Sequence, residues 1–111
     1  MASEFYRILR SDRPTLDDFK SARELGKPLV RRYVREWAES ISVHDDLDHS
    51  KTHARDNRLR IGRHVVKLIV PDDGSIELAQ TTRDPHHFSI YASAETIFSF
   101  VAGEAIPVEE Q

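Results

Sequence analysis

Val65-Val66-Lys67-Leu68-Ile69-Val70, followed at once by Pro71-Asp72-Asp73-Gly74-Ser75, is the stretch on which the fold turns. A run with almost no polar interruption marks a strand covered on both faces, because a half-solvated strand would alternate. The residues after it make a turn for a definite reason: proline presets φ and glycine supplies a positive φ. Ile76–Thr82 is therefore expected to pair back as a hairpin, and His87–Tyr91 to form a further strand. Ser93 is placed to cap a last helix carrying Ile97, Phe98, Phe100 and Val101, with Gly103 stopping it. Ala105–Val108 then adds an edge strand before an acidic tail at 109–111.

Toward the N-terminus, Phe5-Tyr6-Arg7-Ile8-Leu9-Arg10 alternates as an opening strand, with Tyr6 and Ile8 on one face and Phe5, Arg7 and Leu9 on the other. Thr15 followed by Asp18 predicts the start of a first helix, ended by Gly26 and Pro28. Val30, Tyr33, Val34 and Trp37 recur at helical spacing and predict a second helix over Leu29–Glu39. Ser40-Ile41-Ser42-Val43 has strand character. Asp45 or Asp46 caps a polar helical segment reaching about Asn57. The expected architecture is one α+β domain over residues 1–111: a mainly antiparallel twisted sheet of four or five strands, with two N-terminal helices and one C-terminal helix packed on it.

Composition bounds the function. A chain of 111 residues holds one ordinary domain, and at 39% hydrophobic against 32% charged its core is small and its shell heavily solvated. Modest stability leaves room for a homodimer. Zero cysteines exclude disulfides, thiolate metal sites and thiol nucleophiles. No stretch approaches the length of a membrane span, and the N-terminus lacks a signal-peptide layout, so a cytoplasmic protein is expected. Residues 1–63 carry 14 basic against 11 acidic side chains, and residues 64–111 carry 2 against 8. The basic residues alternate with acids instead of forming a run, which argues against a nucleic-acid partner.

Two clusters hold the chemically capable side chains. His44, Asp45, Asp46, Asp48, His49 and His53 lie within ten residues. On a helix His49 and His53 share a face, and imidazole with carboxylate suits zinc, nickel or iron. Ser50 stands where a zinc-protease motif has glutamate, so the default reading is a solvated capped helix with no resident metal, His44, His49 and His53 being the candidates. The second cluster is Thr82-Arg83-Asp84-Pro85-His86-His87. Adjacent histidines on a strand point to opposite faces, so His87 is expected inward and His86 outward. One histidine with Arg83 could serve as a general base or phosphate contact.

The order Tyr6-Arg7 on an opening strand, Ser40-Ile41-Ser42 on a strand leading into a helix, then Val65–Val70 and further strands resembles the ADP-ribosyltransferase scaffold. That resemblance implies NAD as cofactor, Arg7 holding it, Ser42 bracing the site and a strand glutamate, here Glu77, acting on the acceptor. Two functions follow as expectations. One is a protein-interaction or self-associating domain that needs no cofactor. The other is a small ADP-ribosyltransferase-like or toxin-like enzyme with a cleft lined by Arg7, Ser42, Arg83 and His87. The Phe5-Tyr6-Arg7 opening is also similar to that of short bacterial proteins.

Overall fold

In a computed structural model describing residues 2–27 and 35–109, the apolar run becomes β3 (His64–Pro71). Val65, Val66, Leu68 and Val70 have no exposed surface. β3 pairs along its whole length with β1 (Ala2–Leu9), from Ala2↔Pro71 to Leu9↔His64. Its other side pairs with β6 (Val101–Pro107). The described residues form a six-stranded antiparallel sheet, completed by β2 (Ile41–His44), β4 (Glu77–Ala79) and β5 (His87–Tyr91), in the order β4-β5-β2-β1-β3-β6. Helical segments are a 3-10 turn at Leu16–Phe19, α1 (Arg35–Glu39), α2 (Leu47–Asp56) and α3 (Ala94–Phe98).

This overturns the expected four or five strands with two N-terminal helices and one C-terminal helix. The first predicted helix is only a 3-10 turn, because the chain breaks at Lys20 and restarts at Ser21-Ala22-Arg23-Glu24, whose capping box opens a separate turn. Lys20 is extended, and Ser21 and Glu24 then bond each other's backbone amides, Ser21 N–H to Glu24 Oε1 at 3.1 Å and Glu24 N–H to Ser21 Oγ at 3.3 Å. The other Glu24 oxygen accepts the Ala94 amide at 3.2 Å, tying this segment to α3. Of the second predicted helix, residues 29–34, including Val30, Tyr33 and Val34, lie outside the described residues.

Among the described residues the longest helix is α2, the polar segment. Asp46 caps it by accepting the His49 amide at 2.8 Å.

The hairpin after β3 is also corrected. Both sides of β3 are taken by β1 and β6, so the chain crosses to the far edge, where β4 pairs with β5 through Glu77↔Tyr91, Leu78↔Ile90 and Ala79↔Ser89. At the C-terminal end α3 stops at Phe98. Gly103 does not cap it; it lies inside β6 with φ of 82°, beside the register shift opposite Val65 and Lys67. A bulge is where such a residue belongs, because glycine takes positive φ without a Cβ clash.

Strand parity then builds two unequal faces. Phe5, Leu9, Ile41, Val43, Val66, Leu68, Val70 and Ile90 fill one face with Phe19, Ala94 and Ile97 against them. The other face holds a small apolar patch, Val65, Ala54 and Val108 with Tyr6, Ile8, Leu47 and Leu59, under α2. Beyond that patch this face is polar. No helix among the described residues is long and apolar enough to cross a membrane.

Candidate functional site

The polar face is organised by β2 and β5. His44 is the last residue of β2, and its Cα partners are Tyr6 on β1 and His87 on β5. Directly opposite residues in a sheet project to the same side. His44 and His87 therefore stand together on the α2 face, their ring centroids 5.6 Å apart. From α2, one turn apart, come His49 and His53, with ring centroids 5.4 and 5.0 Å from that of His44. Ser50 and Ala54, buried on the same helix, press α2 onto the sheet and hold both histidines in place.

The loop between β4 and β5 supplies the carboxylate. Asp84 Oδ1 accepts the His86 backbone amide at 2.9 Å, and Oδ2 lies 2.7 Å from His49 Nε2. His86 precedes the strand, so strand alternation does not govern it. Its Nδ1 is 2.7 Å from Asp45 Oδ1, and its ring sits 4.6 Å from that of His49. The His86 side chain is 44% exposed, in keeping with the outward expectation, yet its ring lies on the α2 side beside His49.

Electrostatics follow the burial. His44, 3% exposed, is pushed down to about 4, first by burial and then by the positive charge that His53, His87 and His49 would carry, with Asp84 opposing. Burial also lowers His87. His86 is raised, chiefly by its bond to Asp45. Asp84 is lowered by the His86 amide and His49. His44 Nε2 and His87 Nδ1 are buried without a hydrogen-bond partner. Unpartnered buried polar atoms are rare in native folds and call for an explanation.

Beside this cluster the sheet opens. β1 and β2 share only the register pair Tyr6↔His44, and past it the strands splay. A groove of about 630 Å³ lies there, lined by Ile8, Leu9 and Arg10 of the first strand and its extension, by Ser40, Ile41 and Ser42 of the second, by residues between Asp17 and Lys27, and by His44 and His53. Arg7 bridges the gap in place of a backbone ladder. Its Nη1 donates to Ser42 O at 2.9 Å, and Nε and Nη2 donate to Asp18 O at 3.2 and 3.1 Å. These acceptors are neutral carbonyls; no carboxylate pairs with Arg7 among the described residues. Desolvation lowers its pKa to about 10, with Asp18 opposing. Arg10, Lys20 and Lys27 line the groove as well, against Asp17 and Asp18. Two of the exposed large apolar side chains, Leu25 and Ile61, also belong to its wall.

The groove thus sets the Arg7 guanidinium against the Ser42 carbonyl, while the Ser42 side chain lies on the α2 face with His44, and His87 stands one strand further on. Arg83 is exposed and lies outside the groove lining. Glu77 is at the sheet edge, engaged by both Arg35 terminal nitrogens at 2.9 and 2.8 Å, while the Arg35 guanidinium lies 4.1 Å over the Tyr91 ring. Asp84 is the residue that reading the chain missed as a partner of His49. The Asp84-Pro85 turn signal was visible, but a separation of 35 residues hid the contact. Comparison of the chain with protein-family models, with curated proteins and with solved structures returns no match.

Proposed function

We propose that this domain binds a phosphate-bearing nucleotide in the groove between β1 and β2, and that the nucleotide is NAD. The observation carrying this reading is Arg7: a desolvated guanidinium whose partners are carbonyl oxygens, at a groove rich in cations. A partly buried guanidinium that bonds only to carbonyl oxygens keeps N–H groups to spare, and a phosphate oxygen reaching them would form charge-assisted bonds. Arg10 and Lys27 extend the positive field, Lys20 being paired with Asp17 at 2.8 Å, and Leu25 and Ile61 offer apolar contact for a ring. The volume is that of a small-molecule site. NAD is the nucleotide implied by the ADP-ribosyltransferase-like element order, with Arg7 holding it, while the exposed Ser42 side chain, on the α2 face with His44, lines the groove from the other side of the gap. Binding, not ADP-ribosyl transfer, is the activity the geometry supports, since Glu77 is tied to Arg35 away from the groove.

Thermal unfolding with NAD, ADP-ribose, AMP and nicotinamide tests the reading. A ligand at about 100 times its Kd adds about 2.7 kcal/mol, which for a chain of this size raises Tm by more than about 10 °C. NAD and ADP-ribose should raise Tm, and the rise should shrink in Arg10→Ala/Lys27→Ala, which leaves the Arg7 bridge intact. A flat response at millimolar NAD sinks it.

A second reading, self-association, draws on β6, a seven-residue strand at the sheet edge. Exposed edges are templates for pairing. Sedimentation that stays monomeric over a hundredfold range of concentration would remove it.

A further inference from the structure

His44, His49 and Asp84 each offer one ligand atom, and these atoms all lie within 4.8 Å of one another. They come from three elements: the end of β2, the first turns of α2 and the loop before β5. We propose that they bind a single divalent transition-metal ion of the zinc class, a site independent of the nucleotide reading. Two imidazoles and one carboxylate leave a fourth position for water, the donor set of an open rather than a closed zinc site.

The independent observation is His44 itself. Its side chain is 97% withdrawn from solvent, counting from 3% exposure, and its Nε2 finds no hydrogen-bond partner. A buried nitrogen in that state is costly for the apo protein, and a metal ion would give the ring a partner. His87, whose Nδ1 is likewise buried and unpartnered, stands next to it, and His53 closes the groove side. Of the rings gathered here only His49 bonds the Asp84 carboxylate, which leaves His44 Nε2 and His87 Nδ1 buried with no partner.

The distances suit closure with small movements. Ligand bonds of about 2.0–2.2 Å put tetrahedral donors about 3.3–3.5 Å apart. With all three ligand atoms within 4.8 Å, no separation must contract by more than about 1.5 Å, within reach of side-chain rotation, while the 2.7 Å contact of His49 Nε2 with Asp84 Oδ2 opens slightly. If Nε2 of His49 carries its proton in that contact, the proton moves to Nδ1 on coordination; the ring stays neutral. Asp84 is held for the role by the His86 amide on its other oxygen. Such an outer contact aligns a ligand without competing for the metal.

The experiment is metal titration of the chelator-stripped chain without nucleotide. Zn²⁺ and Co²⁺ should raise Tm at micromolar concentration where Mg²⁺ does not, and Co²⁺ should give the visible absorption of a tetrahedral site. Binding stoichiometry by calorimetry should be one ion per chain. Asp84→Asn keeps an oxygen for the His86 amide, so it should fold and lose affinity by tenfold or more; His44→Leu should abolish the cobalt spectrum. Asp45→Asn, which alters only the His86 pair, should bind as the parent does. No zinc-dependent rise, or a rise and spectrum that survive both Asp84→Asn and His44→Leu, overturns the assignment. The NAD response of Asp84→Asn separates the two readings, since Asp84 does not line the groove.

Discussion

The two faces of the sheet are built from the same strands and spend their residues differently. On β2, Val43 is buried in the large apolar cluster, whereas His44, its neighbour, faces α2. On β5, Ile90 belongs to that cluster, whereas Ser89 bonds Thr81 across the sheet at 2.7 Å. The apolar face is filled by side chains from β1, β2, β3 and β5 and closed by Phe19, whose ring meets Phe98 edge-on at 5.5 Å. The α2 face has a small apolar patch at one end and buried polar groups at the other. One face supplies stability through burial. The other retains unpartnered polarity that burial alone would select against, which is where a ligand is expected.

The sharpest way to break this comparison is a pair of substitutions, one on each face. Ile90→Ala should cost about 3 kcal/mol by leaving a cavity in the filled face. His44→Leu, in chelator, should be neutral or stabilising, because it removes a buried nitrogen with no partner. Urea unfolding midpoints check both; a large loss for His44→Leu would mean the polar face also carries the fold.

pH probes the same contrast with a smaller effect. His44 titrates at about 4 in the folded chain, against about 6.5 unfolded. Between those values the unfolded chain binds more protons, so stability is full above the unfolded value and falls as pH drops toward the folded one. His87 acts in the same direction. His86, raised by Asp45, opposes: its contribution is present at low pH and lost as pH rises through its folded value. Metal-free parent should lose on the order of 2 kcal/mol more than His44→Leu on going from about pH 7.5 to about pH 5. Parallel profiles would show that His44 is not held neutral by its surroundings.

The smallest effect concerns how α2 is anchored. Asp46→Ala removes the side chain that accepts the His49 amide and should cost about 1 kcal/mol. Because the same turn presents His49, zinc affinity should fall along with Tm. An unchanged affinity would indicate that packing of Ser50 and Ala54 alone positions the histidine.

Much of this was legible one residue at a time. Alternation placed Phe5, Arg7 and Leu9 opposite Tyr6 and Ile8, as found, because the side-chain period of a strand is local geometry. A cap at Asp45 or Asp46, which the structure settles on Asp46, and His49 with His53 on one helical face follow from the same kind of rule. The 3-10 turn at Leu16–Phe19 was not read from the chain: Thr15 with Asp18 and Ser21 with Glu24 each announce a helix start, and the break between them at Lys20 appears only in the folded structure. Gly103 reads equally well as a helix stop or as a bulge, and the pairing of β6 with β3 decides.

The chain alone determined which residues share a strand face, where its turns fall and that cysteine chemistry is absent, since each of these depends on covalent neighbours or on composition. Only the tertiary structure decided that β4 joins β5 instead of β3, that β1 and β2 part after Tyr6 and His44, and that Asp84 meets His49. Strand partners are chosen by competition among distant segments for the same edges, and a side chain's neighbours across the sheet are set by the winner of that competition.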